Sequence, residues 1–536
     1  MSLKYASLLK ISVAGAVLLS VGACKPADKG QGALKSEVVS ALNLSKSEAG
    51  VFAKYFATEE CDVNEADALE ALTGLGLVEN GSNKLSFASQ DFSGGLVTYR
   101  DVVVQDKDAD ADIFSAKTAV FHCPSLVDDV PGFARLDLTD AIVREDELTF
   151  TFGTLNISKP TSDAAAAIID GMLGARDDGQ DDIGFDAVSM TDVTLESDEI
   201  SGSLDALSWG EVRGDNGQGK ADLTIDNLDI VIPGQNDGQD MTLDFKGMSA
   251  RNLNIGGKID AQAAMSTNGV VGSVIGNLNA FQKPYDELVV ETMKLDSEGF
   301  NVDFGGIEGQ TTEKGEKIVT RQSLKPSVIS LKPALADVPS FQRNYNIMKS
   351  LGFETLKFSG SSVTTLDSSD DSVSVSDGLF VVEDGFALNF EYSAEGLTEM
   401  MTALQEMTAS NETPDPLAVY DQLKLRNFRL TLEDNSIVER GLKLASEMTG
   451  QSEKNIKRGL GMAVFAAAMA AQNEVQAEVY SETTEAFADF VKKGGTLTIE
   501  ANPPAPFPLA PLLTEQGENI DPETLGFSAS QEGGAE

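Results

Sequence analysis

FARLDLTDAIV, residues 133–143, is the stretch whose reading decides the fold. It opens on an aromatic residue. Leu136 and Leu138 stand at its positions 4 and 6, Asp140 at position 8, and Ala141 and Val143 at positions 9 and 11. Alternation of apolar residues is the signature of a half-buried strand. Here, however, the two apolar pairs fall on opposite parity, and in an unbroken strand they would face opposite sides of the sheet. One extra residue near the aspartate, a β-bulge, brings all four onto one face. Asp and Asn tolerate the backbone geometry this needs. The stretch is therefore read as a bent strand with a single apolar face.

The pattern recurs. Copies run FDAVSMTDVTL from Phe185, FKGMSARNLNI from Phe245, YDELVVETMKL from Tyr285, FETLKFSGSSV from Phe353 and YDQLKLRNFRL from Tyr420. The Phe353 copy has Ser361 at position 9, and the Phe245 copy has Ala250 at position 6. A related unit without the aromatic, ADLTIDNLDIVI, starts at Ala221. Copies are spaced 40 to 68 residues apart, too irregular for a propeller or strict solenoid. Returning strands are expected at Leu148–Phe152, at Leu379–Val382, and at Phe386–Phe390 after the Glu383-Asp384-Gly385 turn. Asp177-Asp178-Gly179, Asn216-Gly217 and Asp237-Gly238 are turn signals.

Helices are expected between and around the copies. In residues 36–80, Val51, Phe52, Tyr55 and Phe56 share one helical face, with Ser45 and Ser47 as caps. Asn64 caps a second helix carrying Leu69 and Leu72, closed by Gly74 or Gly76. Further stripes are Ala165, Ile168, Ile169, Met172 and Leu173, ended by Gly174; Phe341, Tyr345 and Met348; and Leu397, Met400, Met401, Leu404 and Met407. The C-terminal helices run from Ser436 to Met448 before Gly450, from Ser452 through Gly459–Ala471, and from Ser481 to Lys493 before Gly494. A strand is expected at Thr496–Ile499. Five prolines in 503–511 argue against a further ladder there, and the acidic stretch 515–536 reads as disordered.

The fold expectation is α+β: an extended, curved antiparallel β-sheet of repeated bent strands, with inserted helices and a C-terminal helical segment. Its segments are a signal peptide at 1–23, a tether at 24–35 and an N-terminal α+β region at 36–130. A repeated β-rich body follows at 131–435, then a helical segment with a final strand at 436–500, and a Pro-rich acidic tail at 501–536.

The N-terminus carries Lys4 and Lys10 before an apolar run, Ile11 to Val21, and then Gly22-Ala23-Cys24. A basic start, a short apolar core and a small-residue cleavage site make a secretion signal. The run is shorter than the roughly 20 apolar residues of a membrane-spanning helix. The cysteine after two small residues resembles a bacterial lipobox. That resemblance implies cleavage before Cys24, a thioether-linked diacylglycerol on its sulfur and an acyl group, palmitate in type, on its new amine. Several acyl chains anchor stably where one does not. Lys25, rather than aspartate, at the second mature position leans towards the outer membrane, with the protein facing the periplasm. Residues 25–35 read as a flexible tether.

Cys61 and Cys123 are the other two cysteines, and an exported compartment is oxidising. They are read as a disulfide, worth about 4 kcal/mol in the chain-entropy model. A redox or metal site is the functional alternative, since His122, the single histidine, precedes Cys123; the spacing matches no C-x-x-C pattern.

Composition narrows the function. The chain has 536 residues with 85 Asp+Glu against 40 Lys+Arg. The first 23 hold two lysines and no acid, so the remaining 513 carry 38 − 85 = −47. Such a surface repels phosphates, which excludes a nucleic-acid partner and a polybasic membrane binder. The acidic run at 106–112 lacks the EF-hand ligands: Ala111 stands at the glycine position and Lys117 at the bidentate one. DGQD at 178–181 and 237–240 reads as hairpin turns. One histidine, no G-x-S-x-G elbow, no Walker loop and no H-E-x-x-H lead to the expectation of no catalytic residues, no metal and no cofactor. Acids in this number always offer carboxylate pairs, and a carboxylate-based hydrolase is the enzymatic alternative.

The repeated aromatic-x-x-Leu-x-Leu-x-Asn-apolar strands over about 130–435 resemble those of AsmA-like and YdgA-like bacterial envelope proteins. The resemblance implies a long β-sheet curved into an apolar groove, and several such proteins are linked to lipid handling. The chain departs from the AsmA pattern in its anchor and its helical C-terminal segment. The expectation is a lipid-anchored envelope protein with a non-catalytic binding role, holding a lipid or another hydrophobic ligand. A scaffold or partner-binding protein without a small ligand is the alternative.

Overall fold

The computed structural model describes residues 52, 55–56, 61–77, 84–105, 112–127, 130–145, 148–173, 185–197, 199–213, 219–234, 240–256, 283–337, 339–400, 402–403, 422–459, 474–509 and 522–534, and every structural statement concerns these. The fold is α+β. Twenty-two strands lie in antiparallel sheet, and two more make a small hairpin. The chain divides into two compact units.

The first unit takes residues 28–253 with 293–297. Helix α1 (Glu65–Gly74) starts at Asn64, whose side chain accepts from the Asp67 amide at 3.1 Å, and buries Ala68, Ala71 and Leu72. Strands β1 (Lys84–Ser86) and β2 (Ser89–Ser93) both pair with β3 (Leu96–Gln105), which pairs in turn with β4 (Asp112–His122). A hairpin of β5 (Ser125–Val127) and β6 (Val130–Gly132) follows. The ladder resumes from β4 through β7 (Arg135–Glu145) and β8 (Leu148–Ser158). Helix α2 (Ser162–Met172) is capped by Thr161 and intervenes before β9 (Ala187–Glu196), β10 (Ser201–Arg213) and β11 (Gly219–Ile232) extend the ladder. β12 (Met241–Gly256) pairs through Thr242–Phe245 with β14 (Met293–Asp296), the strand that follows β13 (Glu287–Val290) in the chain.

The bent-strand expectation holds in the first unit's copies, with one change of mechanism; the Tyr285 copy departs from it, breaking at Glu291-Thr292 into β13 and β14, which pair with different strands. In β7, Leu136, Leu138 and Ala141 are all buried and Val143 packs against the same core, so both apolar pairs share a face. The switch sits at Asp140, whose φ is +46°. Equivalent residues in the Phe185 copy, the Ala221 unit and the Phe245 copy are also left-handed: Asp192 (+49°), Asn227 (+43°) and Asn252 (+47°). So is Asp101 of β3, outside the repeat (+49°). No residue is inserted, however. Thr118 pairs with Thr139 and Ala116 with Ala141, leaving Lys117 opposite Asp140, one residue on each strand. Both strands change parity at the same level, so the register is unbroken. An insertion in one strand alone would throw the neighbours out of phase.

That face carries the core. Leu72 of α1 and Ile169 of α2 join Val97, Tyr99, Phe114, Phe121, Leu136 and Leu138 in one cluster. Tyr99, Phe121 and Phe133 stack edge to face at 5.3–6.0 Å between ring centroids.

The second unit takes the described residues of 254–292 and 298–536. Its ladder starts at β13, which pairs with β16 (Ile307–Lys314). β15 (Phe300–Phe304) and β16 both pair with β17 (Lys317–Leu331). Helix α3 (Pro339–Ser350) leads into β18 (Thr355–Asp367), β19 (Ser372–Val382), β20 (Phe386–Glu395) and β21 (Lys424–Asp434), each paired with the one before and β18 with β17. Here true bulges occur. The register shifts between Ser361 and Val363 in the Phe353 copy and around Arg426 in the Tyr420 copy. Helix α4 (Ile437–Thr449) ends on Gly450 at φ +68°, and α5 (Glu474–Lys493) ends before Gly494 at +70°. β22 (Thr496–Ala501) pairs with β21.

Two expectations fail at the C-terminus. β23 (Phe507–Pro508) pairs with Lys424 and Leu425 of β21 despite the prolines, because a two-residue strand asks little of the missing amides. After α6 (Pro522–Leu525), β24 (Phe527–Glu532) pairs along the whole of β22 instead of being disordered. Its alternation, with Phe527, Ala529 and Gln531 less exposed than Ser528, Ser530 and Glu532, is that of a one-sided strand. Acidity around it hid the pattern. Tyr55 and Phe56 also depart from the expected helix face: Phe52 is helical, whereas these two lie in a turn.

Candidate functional site

Cross-strand pairing in the first unit converts sequence parity into rows that run across the sheet. One apolar row is Val97, Phe121, Leu136, Ile157, Val188, Trp209 and Leu223, each residue paired with the next. The adjacent row is Tyr99, Ala119, Leu138, Leu155, Met190, Leu207 and Ile225. Under α1 and α2 these rows are buried: Val97, Phe121 and Leu136 are at 0% exposure. On β9 and β10 the cover thins, and Val188, Met190, Leu207 and Trp209 are partly exposed. Leu223 and Ile225 of β11 are buried again. Leu155 of β8 is also partly exposed, so the half-covered strip lies between buried Ile157 on one side and buried Leu223 and Ile225 on the other. Trp209, the single tryptophan of the chain, lies within it.

The second unit repeats the theme. Phe490 and Ala486 of α5 pack on Leu497, Leu432, Ile499 and Ala529. The same face continues through Leu388 to Phe380, by the pairs Leu497–Leu432, Leu432–Leu388 and Leu388–Phe380. Phe380 stacks between Phe358 and Phe386, with centroids 6.1 and 6.2 Å away, and all three rings are partly exposed. A shallow groove of about 480 Å3 lies between α3 and α4, lined by Asn346, Ile347, Leu444 and Met448.

The opposite face of the first unit's sheet is polar. Thr118 and Thr139, Thr154 and Thr191, and Thr151 and Thr194 form hydroxyl pairs across neighbouring strands at 2.5 to 2.9 Å. At one end of this face runs the paired row His122, Arg135, Ser158, Ala187, Gly210 and Asp222. His122 Nε2 lies 2.8 Å from Asp137 Oδ2, and Arg135 Nε donates to Asp137 Oδ1 at 2.5 Å. Residues Tyr55 and Phe56 cross the row. Arg135 donates to the Phe56 carbonyl at 2.6 Å and its guanidinium stands 5.5 Å from the Phe56 ring. Ser158 donates to the Tyr55 carbonyl at 2.7 Å, and the Tyr55 hydroxyl donates to Asp222 at 3.1 Å. The Tyr55 ring covers Gly210, where any Cβ would collide with it.

Cys61 and Cys123 are joined as a disulfide, Cα atoms 5.6 Å apart. Their sulfurs are consumed in that bond, and His122 is engaged by Asp137, so these three residues make neither a zinc site nor a thiolate–imidazole pair. Among the described residues no group of three or more His, Cys, Asp or Glu is placed to hold a metal, and no helix is long and apolar enough to cross a membrane. Cys24, Tyr420, the acidic run at 106–111, both DGQD stretches except Asp240, and most of 459–471 lie outside the described residues.

Sequence reasoning reached the apolar rows and the disulfide but missed the crossing by Tyr55. Its partner Asp222 is 167 residues away. The only local trace is small residues, Ser158, Ala187 and Gly210, at the corresponding level of three strands.

A family model described as an uncharacterized protein matches residues 379–532, the stretch from the second half of β19 to β24. No curated protein matches the chain.

Proposed function

We propose that this chain is a lipid-anchored bacterial envelope protein, held to the membrane through Cys24, that binds a lipid or another hydrophobic ligand on the apolar face of its sheet and does so without catalysis. The observation that carries the reading is the apolar strip at Leu155, Val188, Met190, Leu207 and Trp209, only partly covered, with buried Ile157 on one side and buried Leu223 and Ile225 on the other. Partly exposed apolar side chains lose burial worth about 25 cal/mol for each Å2 left in water, and an acyl chain restores it. Concave apolar surface with sparse polar groups is the usual form of such sites.

Trp209 supplies the test. Titrating the soluble protein with phospholipid bearing brominated acyl chains should quench its fluorescence in a saturable way. Organic extraction of the purified protein should release bound lipid. Neither quenching nor extractable lipid would favour a scaffold without a small ligand. Trp209→Phe removes the signal and serves as the control.

A further inference from the structure

The apolar face of the first unit continues past the bend. In β8, Phe152 and Leu155 stand on either side of Gly153 and pack against the same core, and Val143, which also packs there, pairs with Phe150. Phe150 pairs with Leu195, Val193 with Leu204, and Leu204 with Leu228. These five are partly exposed, as Val188, Met190, Leu207 and Trp209 are. The half-covered surface therefore follows β9 from Val188 to Leu195, about 23 Å at the rise of a strand. That length takes a whole acyl chain, since the chains of both leaflets together fill only about 30 Å of a bilayer.

Charge on these strands is one-sided. β8 has no charged residue, whereas two carboxylates stand on β9, two on β10 and three on β11. The only basic residues of the four strands are Arg213 and Lys220. Both lie at the β10–β11 hairpin end, in the pairs Arg213–Gly219 and Val212–Lys220, beyond the level of Ala187 where β9 begins. An anionic headgroup on the half-covered surface would meet no cation from these strands to offset its lost hydration. It would also approach against the field of a chain with net charge −45.

We propose that the ligand of this face is a long-chain lipid whose headgroup carries no net negative charge. The proposal rests on the lipid-binding reading and narrows it to a headgroup class.

Brominated stearate and its methyl ester share a chain and differ by one charge. At neutral pH and low ionic strength, the ester should quench Trp209 in the full chain with a midpoint at least ten-fold lower than that of stearate. Met190→Arg places a cation on the half-covered surface and should bring the stearate midpoint down to that of the ester. Circular dichroism establishes that this variant is folded; if it is not, the comparison in the parent decides alone. Stearate binding as tightly as the ester in the parent, or more tightly, would show that a cation such as Arg213 reaches the headgroup. An undiminished preference in folded Met190→Arg would place the selection away from this face. Either result overturns the proposal. Quenching by neither ligand would instead remove the lipid site on which it rests.

Discussion

Single residues set the bend of the strands. At Asp192 the backbone is left-handed in the middle of β9, and the Asp192 side chain occupies the space beside Gly153 of β8. A β-branched residue pays heavily for that conformation, whereas Asn or Gly does not. Asp192→Val is expected to destabilise the fold by about 1–3 kcal/mol. Asp192→Asn should stay within about 0.5 kcal/mol of the parent, comparing urea midpoints. Burial acts on another single residue, Tyr99, pushing its hydroxyl from 10.0 up to about 12. The folded state then holds a proton that the unfolded state releases above pH 10. Stability is unaffected below pH 10 and falls by about 1.4 kcal/mol per pH unit between 10 and 12. Tyr285 and Tyr392 are also raised by burial. The slope specific to Tyr99 is therefore the difference between parent and Tyr99→Phe in urea melts across that range.

Among elements, β24 and α5 close the second unit. Phe490 is 3% exposed and packs against Leu497, Leu432 and Ile499. Phe490→Ala should cost about 3–5 kcal/mol, since the sheet cannot collapse into the space left. Circular dichroism during chemical unfolding would measure it. The same element explains why the disorder expectation failed. β24 is short, acidic around its ends and far from β22 in sequence, so nothing local advertises the six-residue register it adopts. In the first unit, by contrast, the element boundaries at Asn64 and Leu148 follow a cap and a strand start visible in the chain.

At the scale of the molecule, a net charge of −45 works against compactness. Local pairs soften it. Lys317 and Asp367 lie 2.6 Å apart, and hydrogen bonds from Lys317 and Ser369 hold the Asp367 carboxyl down at about 2. Acid excess remains after every pairing, so raising salt from low ionic strength to about 0.15 M, where screening falls to about 8 Å, should raise the melting temperature. A melting temperature that falls over that range would show the ion pairs to outweigh the repulsion.

The sequence alone determined that strands such as β7, β9 and β21 bend with one apolar face, because parity and a left-handed-tolerant residue are local properties. It also determined the helix caps at Asn64 and Gly450 and the pairing of the two body cysteines. Only the tertiary structure decided how the parity change is accommodated, since an unbroken register requires the neighbouring strand to switch at the same level. It alone decided that Tyr55 crosses to Asp222, and that cover over the apolar rows thins at Trp209. Those are facts about which strands become neighbours, and neighbours separated by 100 residues leave no mark on either stretch of chain.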